Sequence, residues 1–279
     1  MIHNSRYIFF GTPRFAAIVL EKLLDAGFVP AAVICNPDRP VGRKKIITAP
    51  PIKELIAKRK AQSEVLQPEN LSAIRDLLFA LRPTFAIVAA YANIIPKEIL
   101  AIPRLGTIGV HPSLLPKYRG ASPIQSAILA GEEETGVTLY LMDEKMDHGN
   151  IISNVKAQIS NEDTYETLEK KLAELGGELL AKTISDFVAG KITAQPQDHT
   201  KATFTKKFTT ADGEVNLKTD DPERVYRKIR ALNPEPGVYT FTYPGHVGKR
   251  VKLLCAEYRD GTLRIVEIQP EGKIPQKIR

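Results

Sequence analysis

The sequence predicts an α/β protein with a doubly wound, mainly parallel sheet, followed by a small β domain. In residues 1–190, apolar runs typical of strands alternate with segments whose apolar residues have helical spacing. After residue 201, short strand-like segments follow one another with turns between them. The chain has 279 residues, of which 43% are hydrophobic and 25% charged. That composition is typical of globular proteins and excludes disordered, collagen-like and coiled-coil chains.

The first half supplies the alternating elements. Arg6–Phe10 predicts a strand that ends at Gly11-Thr12-Pro13, and helical spacing predicts a helix over Phe15–Ala26 that stops at Gly27. The apolar stretch Thr84–Ala90 is typical of a strand covered on both faces. The same patterns predict strands at Val29–Cys35 and Gly106–His111, helices at Pro51–Arg59 and Ser72–Leu81, and a basic loop at Arg39–Ile47.

The second half completes the sheet and begins a new domain. Val137–Met142 and Ile151–Ile159 predict two strands at the far edge of the sheet, and Thr164–Val188 predicts a long amphipathic helix. The polar stretch 191–201 contains proline and predicts a linker between domains 1–190 and 202–279. The later elements are a helix within Thr219–Leu232 and strands at Val238–Tyr243, Val251–Tyr258 and Leu263–Gln269, which suit a small barrel.

Charge is concentrated toward the end of the chain. The net charge is +7, and residues 201–279 hold 16 Lys+Arg against 10 Asp+Glu. Such a region indicates a polyanionic partner, although a solubilising surface explains it too. Two cysteines, Cys35 and Cys255, suit a reducing, cytoplasmic setting. No apolar run approaches the roughly 18 residues of a membrane helix, so no membrane partner is expected.

Several enzyme classes lack their signature motifs. The turn Gly11-Thr12-Pro13 lacks the GxGxxG spacing of dinucleotide sites, and GxxxxGK[ST] is absent. These absences disfavour nicotinamide and nucleoside triphosphate enzymes. No Gly-x-Ser-x-Gly elbow occurs, and no HExxH or paired Cys/His motif favours a metal.

One histidine and one acidic loop are the best candidates for chemistry. In open α/β sheets, ligands bind beyond the carboxyl ends of the strands. His111 closes an apolar strand, and the loop Met142–Gly149 carries Asp143, Asp147 and His148 toward the same crevice. A carboxylate beside an imidazole fixes the orientation of the ring. The alternative is that both aspartates are ordinary turn residues.

Longer strings of the sequence are more specific. HPSLLPKYRGASPIQSAILAGEEETGVTLYLMDEKMDHG resembles the core of the folate-dependent formyltransferases. FFGTPRFA, NPDRPVGRKK, AAYANIIP, TKKFTTADGEVNL and IRALNPEPGVYT resemble segments of the members that act on transfer RNA, in the same order.

The resemblance implies a Rossmann-like N-terminal domain and a C-terminal barrel resembling an OB-fold. It implies transfer of a formyl group from the co-substrate 10-formyltetrahydrofolate to the α-amino group of initiator methionyl-tRNA, without a metal and by a monomer. His111 and Asp147 match the catalytic histidine and aspartate of the family. The matched folate-binding residues are Ser113, Leu114, Leu115, Pro116, Tyr91 and Ile94. The matched tRNA-binding residues are Arg39, Arg43, Lys44, Lys45, Lys206 and Lys207, with Arg43 the main candidate.

Gly109 departs from the family pattern. The family has an asparagine two residues before the histidine, and its amide donates a hydrogen bond to the formyl oxygen. Losing one such donor typically costs about 10²–10³ in rate. A water or another donor such as Asn93 replaces it, the enzyme is slow, or the substrate has changed. The alternatives are therefore another formyltransferase (of an amino sugar or of glycinamide ribonucleotide), a formyltetrahydrofolate hydrolase, or an RNA-binding protein with a decayed site.

Overall fold

The computed structural model describes residues 6–42 and 44–278, so Arg43 lies outside the described residues. The chain divides into two compact units. Unit 1 takes in the chain up to residue 119 together with 136–157 and 169–203. Unit 2 takes in 120–135, 158–168 and the chain from 204 onward. Each unit therefore combines segments that are distant in the sequence.

Unit 1 contains the central sheet. Its strands are β1 (Tyr7–Phe10), β2 (Ala32–Ile34), β5 (Glu64–Leu66), β6 (Phe85–Val88), β7 (Thr107–His111), β9 (Glu134–Leu141) and β10 (Ile151–Gln158). Its helices are α1 (Arg14–Asp25), α2 (Pro51–Arg59), α3 (Arg75–Ala80) and α4 (Lys97–Leu100), and the long helix α6 spans Tyr165–Val188. Short 3-10 turns lie at Leu71–Ile74 and His199–Lys201.

The strand order of this sheet is β10-β9-β7-β6-β1-β2-β5. Strands β5, β2, β1, β6 and β7 run parallel, and β9 runs antiparallel to β7. The chain moves outward in one direction after β1 and in the other after β6. The order therefore reverses between these two strands, which is where α/β sheets open a ligand crevice. The predicted mainly parallel sheet is confirmed.

Apolar packing on the sheet explains the order of its strands. Ile8 and Phe10 of β1, Ile34 of β2 and Ala86 of β6 lie in one buried cluster. Tyr7 stacks on the ring of Phe85 at 5.2 Å between centroids. Because β1 and β6 are buried on both faces, their sequences are continuous apolar runs rather than alternating ones.

Residues 39–41 and 46–48 form two paired strands of a β-hairpin, where the sequence predicted a loop over Arg39–Ile47. Strand β3 (Arg39–Val41) pairs antiparallel with β4 (Ile46–Thr48). Gly42 and Lys45 adopt positive φ angles of 71° and 49°, which a tight reversal of the chain requires. Both strands are exposed, so their mixture of basic and apolar residues carries no burial pattern that predicts a strand.

Unit 2 is built on two helices and an antiparallel sheet. Helix α5 (Pro123–Ala130) ends at Gly131 in the left-handed conformation, and α7 (Pro222–Leu232) is capped by the Asp221 carboxylate, which accepts from the Arg224 N–H at 2.8 Å. Strands β12 (Tyr239–Thr240), β13 (Val251–Arg259), β14 (Thr262–Pro270) and β15 (Gln276–Lys277) pair in that order. Two further short strands are β8 (Arg119–Gly120), which begins at the last residue of the first segment of unit 1, and β11 (Phe204–Thr205) in unit 2. The short strands predicted after residue 201 are confirmed, and the structure shows that they pair antiparallel.

The stretch 191–201 is ordered within unit 1. Gln195 forms a β-bridge with Ile151, and Gln197 is only 6% exposed. The domain boundaries predicted at 190 and 202 stay a prediction. No helix in the described part of the chain is long and apolar enough to span a membrane.

Candidate active site

The structure brings His111 and Asp147 together. His111 is the last residue of β7, and Asp147 lies in the loop that joins β9 to β10. Strand β9 runs antiparallel to β7 and ends beside Ile108, near the start of β7, so the loop must fold back along β7 for Asp147 to reach His111. The Nδ1 atom of His111 lies 3.7 Å from Oδ2 of Asp147, and their side chains are 8% and 13% exposed. This separation is longer than a hydrogen bond, and one polar atom placed between the two groups can contact both.

The ring of His111 is oriented by the backbone. Its Nε2 lies 2.8 Å from the carbonyl oxygen of Tyr118. A carbonyl only accepts hydrogen bonds, so Nε2 carries the proton of that bond. Nδ1 is therefore the nitrogen that faces Asp147 and is placed to exchange a proton.

Asp147 is held by its side chain and by its backbone. The Tyr140 hydroxyl donates to Oδ1 at 2.7 Å. The Gln197 amide donates to the carbonyl oxygens of Asp147 at 3.0 Å and Gly149 at 2.7 Å. Buried Arg119 donates to the Gln197 Oε1 from Nε at 3.2 Å and from Nη2 at 2.6 Å. These contacts support a backbone with a φ of 50° at Asp147, which non-glycine residues adopt at a cost.

The second acidic residue of the loop belongs to a separate pair. Asp143 Oδ2 lies 2.7 Å from Nδ1 of His148, and the ring of His148 stacks on that of His199 at 4.2 Å. Burial is the largest single effect and opposes ionisation of Asp143, but the hydrogen bonds from His148 and from the Lys145 N–H, together with the nearby positive charges, outweigh it and lower the pKa of Asp143. Of the two aspartates that the sequence offers, only Asp147 faces His111.

Tyr140 occupies the space in front of Gly109. The two residues are directly opposite each other on β9 and β7, as are Thr138 and His111 two residues further along. All four therefore face the same side of the sheet. A Cβ atom at position 109 would lie 2.3 Å from Cε1, 2.5 Å from Cζ and 2.9 Å from the hydroxyl oxygen of Tyr140. No side chain fits at position 109 while the Tyr140 ring stays in place.

The segment 113–116 after His111 is held rigidly. Thr138 Oγ1 accepts from the Leu115 N–H at 3.1 Å and donates to the Ser113 carbonyl at 2.7 Å. The Ser113 hydroxyl donates to the Lys117 carbonyl at 2.6 Å. Ser113 and Leu115 are buried, while Leu114 and Pro116 are partly exposed. This segment presents a preformed edge beside the His111–Asp147 pair.

The candidate residues in the loop after β6 lie in different environments. The Tyr91 ring packs edge-on against Phe10 at 5.6 Å, so it lies at the margin of the core. Ile94 is 93% exposed. The Asn93 amide donates to Oδ1 of Asn36 at 3.0 Å. The structure thus shows Asn93 engaged with Asn36 and not with the His111–Asp147 pair.

The predicted tRNA-binding residues lie on exposed surfaces of each unit. In unit 1, Arg39 is on β3, and Lys44 and Lys45 are in the turn of the hairpin. In unit 2, Lys206 pairs with Asp212 and lies 5.8 Å from the centroid of the Phe208 ring, and Lys207 is exposed. Arg43 lies outside the described residues.

Sequence reasoning missed Tyr140, Gln197 and Arg119. Tyr140 is identified by its position opposite Gly109, and that position depends on the register between β7 and β9, which the sequence alone does not give. Gln197 lies in a polar stretch without periodicity, and nothing in that stretch marks it as buried. In residues 6–42 and 44–278, no three His, Cys, Asp or Glu side chains form a group that could hold a metal ion.

A nearly buried histidine and carboxylate 3.7 Å apart are suited to proton transfer, and family models identify the class of enzyme. The family model described as formyl transferase matches residues 5–184. The model described as formyl transferase, C-terminal domain, matches residues 207–262. The chain therefore belongs to the formyltransferase family.

Within that family, the chain is similar to proteins named methionyl-tRNA formyltransferase. It is 42% identical over 254 residues to the one from Halalkalibacterium halodurans, covering 90% of this chain and 78% of the relative. It is 43% identical over 291 residues to the one from Listeria monocytogenes, covering 96% of this chain and 92% of the relative.

Solved structures share the fold at low sequence identity. HypX from Aquifex aeolicus in complex with tetrahydrofolic acid superimposes with a TM-score of 0.66 at 18% identity. The match covers 98% of this chain but only 46% of HypX. This chain therefore spans less than half the length of HypX, and the likeness shows the fold alone.

Proposed function

We propose that this chain transfers a formyl group from 10-formyltetrahydrofolate to the α-amino group of initiator methionyl-tRNA. The observation that carries the proposal is the His111–Asp147 pair, separated by 3.7 Å and nearly buried at the carboxyl edge of the sheet. Family membership and the names of the relatives support the same reaction.

The geometry gives each member of the pair a role. The attacking amine must lose a proton, and Oδ2 of Asp147 is placed to accept it directly or through a water. Negative charge develops on the formyl oxygen, and a proton on Nδ1 of His111 stabilises it. The leaving folate nitrogen needs a proton, which Nδ1 is placed to deliver, and the proton that Asp147 took from the amine then returns to Nδ1, so that both groups end as they began. Burial of both side chains strengthens these interactions, because the local dielectric is lower than in water.

The segment 113–116 is proposed to hold the folate. Three hydrogen bonds fix it, so its backbone is preorganised beside His111. Leu114 and Pro116 offer partly exposed apolar surface for a ring, and Tyr91 and Ile94 come from the neighbouring strand end. When bound, the co-substrate supplies the formyl group that the pair acts on.

Basic surface residues are proposed to bind the tRNA. Arg39, Lys44 and Lys45 are exposed on the hairpin, and Lys206 and Lys207 are exposed near the start of the C-terminal segment. Arg43 belongs to the same basic run in the sequence. Lysine and arginine contacts to phosphate position a nucleic acid without reading its sequence.

The division at 190–202 and the cellular setting are part of the same proposal. The two family models end at residue 184 and begin at residue 207, which supports two domains joined near 191–201. An aminoacyl-tRNA substrate and two free cysteines favour a cytoplasmic setting, and we propose that the enzyme is a monomer.

The catalytic roles are tested by two variants and a matched control. His111→Ala and Asp147→Asn are each expected to lower kcat by at least about 10²-fold without loss of folding. Asp143→Asn changes the other aspartate of the same loop, which pairs with His148, and is expected to cost less than about threefold. Near wild-type kcat in either of the first two variants contradicts the mechanism.

The acceptor is tested in a separate assay. The wild-type enzyme is given 10-formyltetrahydrofolate with methionyl-tRNA, with an amino sugar, with glycinamide ribonucleotide, or with no amine. The proposal expects formylation of methionyl-tRNA and slow turnover in the other reactions. Preferred formylation of another amine, hydrolysis without any amine, or tRNA binding without turnover each supports one of the alternatives and contradicts the proposal.

The tRNA surface is tested by charge removal. Lys44→Ala together with Lys45→Ala is expected to raise the KM for methionyl-tRNA and to flatten its salt dependence by roughly one unit of slope per lost phosphate contact. Lys58→Ala, an exposed lysine on α2, is the control. Equal KM values for both variants contradict a role for the hairpin.

A further inference from the structure

Tyr140 has a place in the site that no sequence motif assigns to it. It lies opposite Gly109, its ring fills the space that a side chain at 109 would need, and its hydroxyl donates to Oδ1 of Asp147 at 2.7 Å. Tyr140 is 4% exposed, so the surrounding core fixes its ring. One residue thus closes the gap at Gly109 and anchors the candidate catalytic carboxylate.

We propose that Tyr140 is the positioning residue of Asp147, and that Tyr140 and Gly109 form one interdependent unit in place of a larger side chain at 109. The proposal rests on the proposed function, because it concerns how the same reaction is supported. Tyr140 acts through Asp147, since its single hydroxyl hydrogen is engaged by that carboxylate.

The Tyr140 hydroxyl is protonated, and is therefore a hydrogen-bond donor, near neutral pH. Burial, and then the charge of Asp147, raises the pKa of Tyr140 well above that of an ordinary tyrosine. The phenol therefore stays protonated. With Oδ1 bound to this donor, the carboxylate plane is fixed and Oδ2 is the oxygen that faces Nδ1 of His111.

The contacts around Gly109 predict which residues at position 140 leave room for a side chain at position 109. The three atoms nearest to a Cβ at 109 would be Cε1, Cζ and the hydroxyl oxygen of Tyr140. Phenylalanine keeps Cε1 and Cζ, whereas leucine ends at its Cδ atoms and lacks all three. We therefore expect a side chain at 109 to be accommodated with leucine at 140 but not with phenylalanine or tyrosine.

The positioning role is tested with Tyr140→Phe. This variant keeps the ring and removes only the donor, so the melting temperature is expected to change little. The kcat for formyl transfer is expected to fall about 10- to 100-fold, the factor typical of a hydrogen bond to a charged group, while the KM values for folate and tRNA stay within about twofold. A kcat within about twofold of wild type overturns the positioning role.

The interdependence is tested with Gly109→Asn in three backgrounds. Alone, Gly109→Asn is expected to displace the Tyr140 ring, lower the melting temperature and reduce kcat. With Tyr140→Leu, the asparagine fits, and the double variant is expected to melt higher than Gly109→Asn and to exceed Tyr140→Leu in kcat. With Tyr140→Phe, the clash and the low melting temperature are expected to persist.

Two results would overturn the interdependence. One is that Tyr140→Leu gives no relief of the Gly109→Asn defect in melting temperature. The other is that the Gly109→Asn and Tyr140→Leu double variant is no more active than Tyr140→Leu alone. A failure of the proposed function is distinct from both, because the wild-type enzyme itself would then fail to formylate methionyl-tRNA.

Discussion

Replacing Gln197 by leucine tests how much the loop of Asp147 depends on its backbone anchor. Gln197 is buried and makes four hydrogen bonds, two donated to carbonyls in the loop and two accepted from Arg119. Leucine is similar in size and removes all four. Gln195→Leu is the matched control, because the Gln195 side chain is exposed and bonds only to the nearby Thr193 carbonyl at 3.1 Å.

The magnitude follows from the contacts that are lost. Each hydrogen bond contributes about 0.5–1.5 kcal/mol net, and leaving the buried Arg119 guanidinium with fewer acceptors adds to the loss. The free energy of unfolding is therefore expected to fall by about 2–4 kcal/mol. For a chain of this size, that loss lowers the melting temperature by roughly 5–15 °C. The control is expected to stay within about 0.5 kcal/mol of wild type.

Thermal unfolding and formyl-transfer kinetics give the two readouts. Besides the loss of stability, Gln197→Leu is expected to lower kcat more than it raises either KM, because Asp147 is no longer held in its left-handed backbone conformation. Equal melting temperatures for Gln197→Leu and Gln195→Leu would show that the buried network contributes nothing. A normal kcat in a destabilised Gln197→Leu would show that the loop does not depend on it.

Three further changes test other parts of the structure. Gly149→Ala places a Cβ 1.7 Å from the Leu141 carbonyl oxygen, so unfolding is expected at a temperature at least about 10 °C lower, measured by calorimetry. Burial raises the pKa of Cys35 to about 11, whereas Cys255 is exposed. At pH 8 a thiol reagent is therefore expected to label only Cys255 in the native protein and both cysteines after unfolding. Hydrogen bonds lower the pKa of Asp212 from 3.8 to about 2. The ionised carboxylate therefore contributes to stability above pH 4, and this contribution is lost as the pH falls through 2. The stability difference between wild type and Asp212→Asn is expected to shrink over that range.

Each of these changes has a control and a contradicting outcome. Gly27→Ala meets no atom within 4 Å and is expected to cost only about 1 kcal/mol for its positive φ, so a Gly149→Ala variant as stable as Gly27→Ala would contradict the packing argument. Rapid labelling of Cys35 in the native protein would contradict its burial. The Asp76 carboxylate is exposed, so Asp76→Asn is expected to show no comparable pH dependence of stability. A stability difference for Asp212→Asn that is constant with pH would contradict a role for the ion pair between Lys206 and Asp212.

Local hydrophobic patterns predicted much of the fold. The predicted strand Thr84–Ala90 contains the buried strand β6, and the predicted helix Thr164–Val188 differs by one residue from helix α6. Both predictions succeed because a long uniform or periodic apolar pattern fits few kinds of secondary structure. Short exposed strands such as β3 were missed, since nothing buries them and composition alone favoured a loop. Helix α5 was missed although Pro123 and Gly131 mark its two ends.

The sequence offered His111 at the end of a strand and Asp147 in an acidic loop as candidates, and the structure places the two side chains 3.7 Å apart. Chain direction alone does not predict this contact, because β9 ends beside Ile108 at the start of β7 and the loop has to fold back toward His111. The contact between Tyr140 and Gly109 depends on strand register, which single strands do not reveal. The support from Gln197 comes from a residue 50 positions away from Asp147 in a segment without periodicity.

Side chains at positions 109 and 140 would compete for the same space, so the order in which the two positions are substituted matters. A bulky residue gained at 109 first would collide with a ring whose atoms lie 2.3–2.9 Å from the new Cβ. Shortening the side chain at 140 first would avoid that collision but would remove the hydroxyl that donates to Asp147. A glycine at 109 therefore allows the tyrosine at 140, and a larger residue at 109 would require a smaller one at 140.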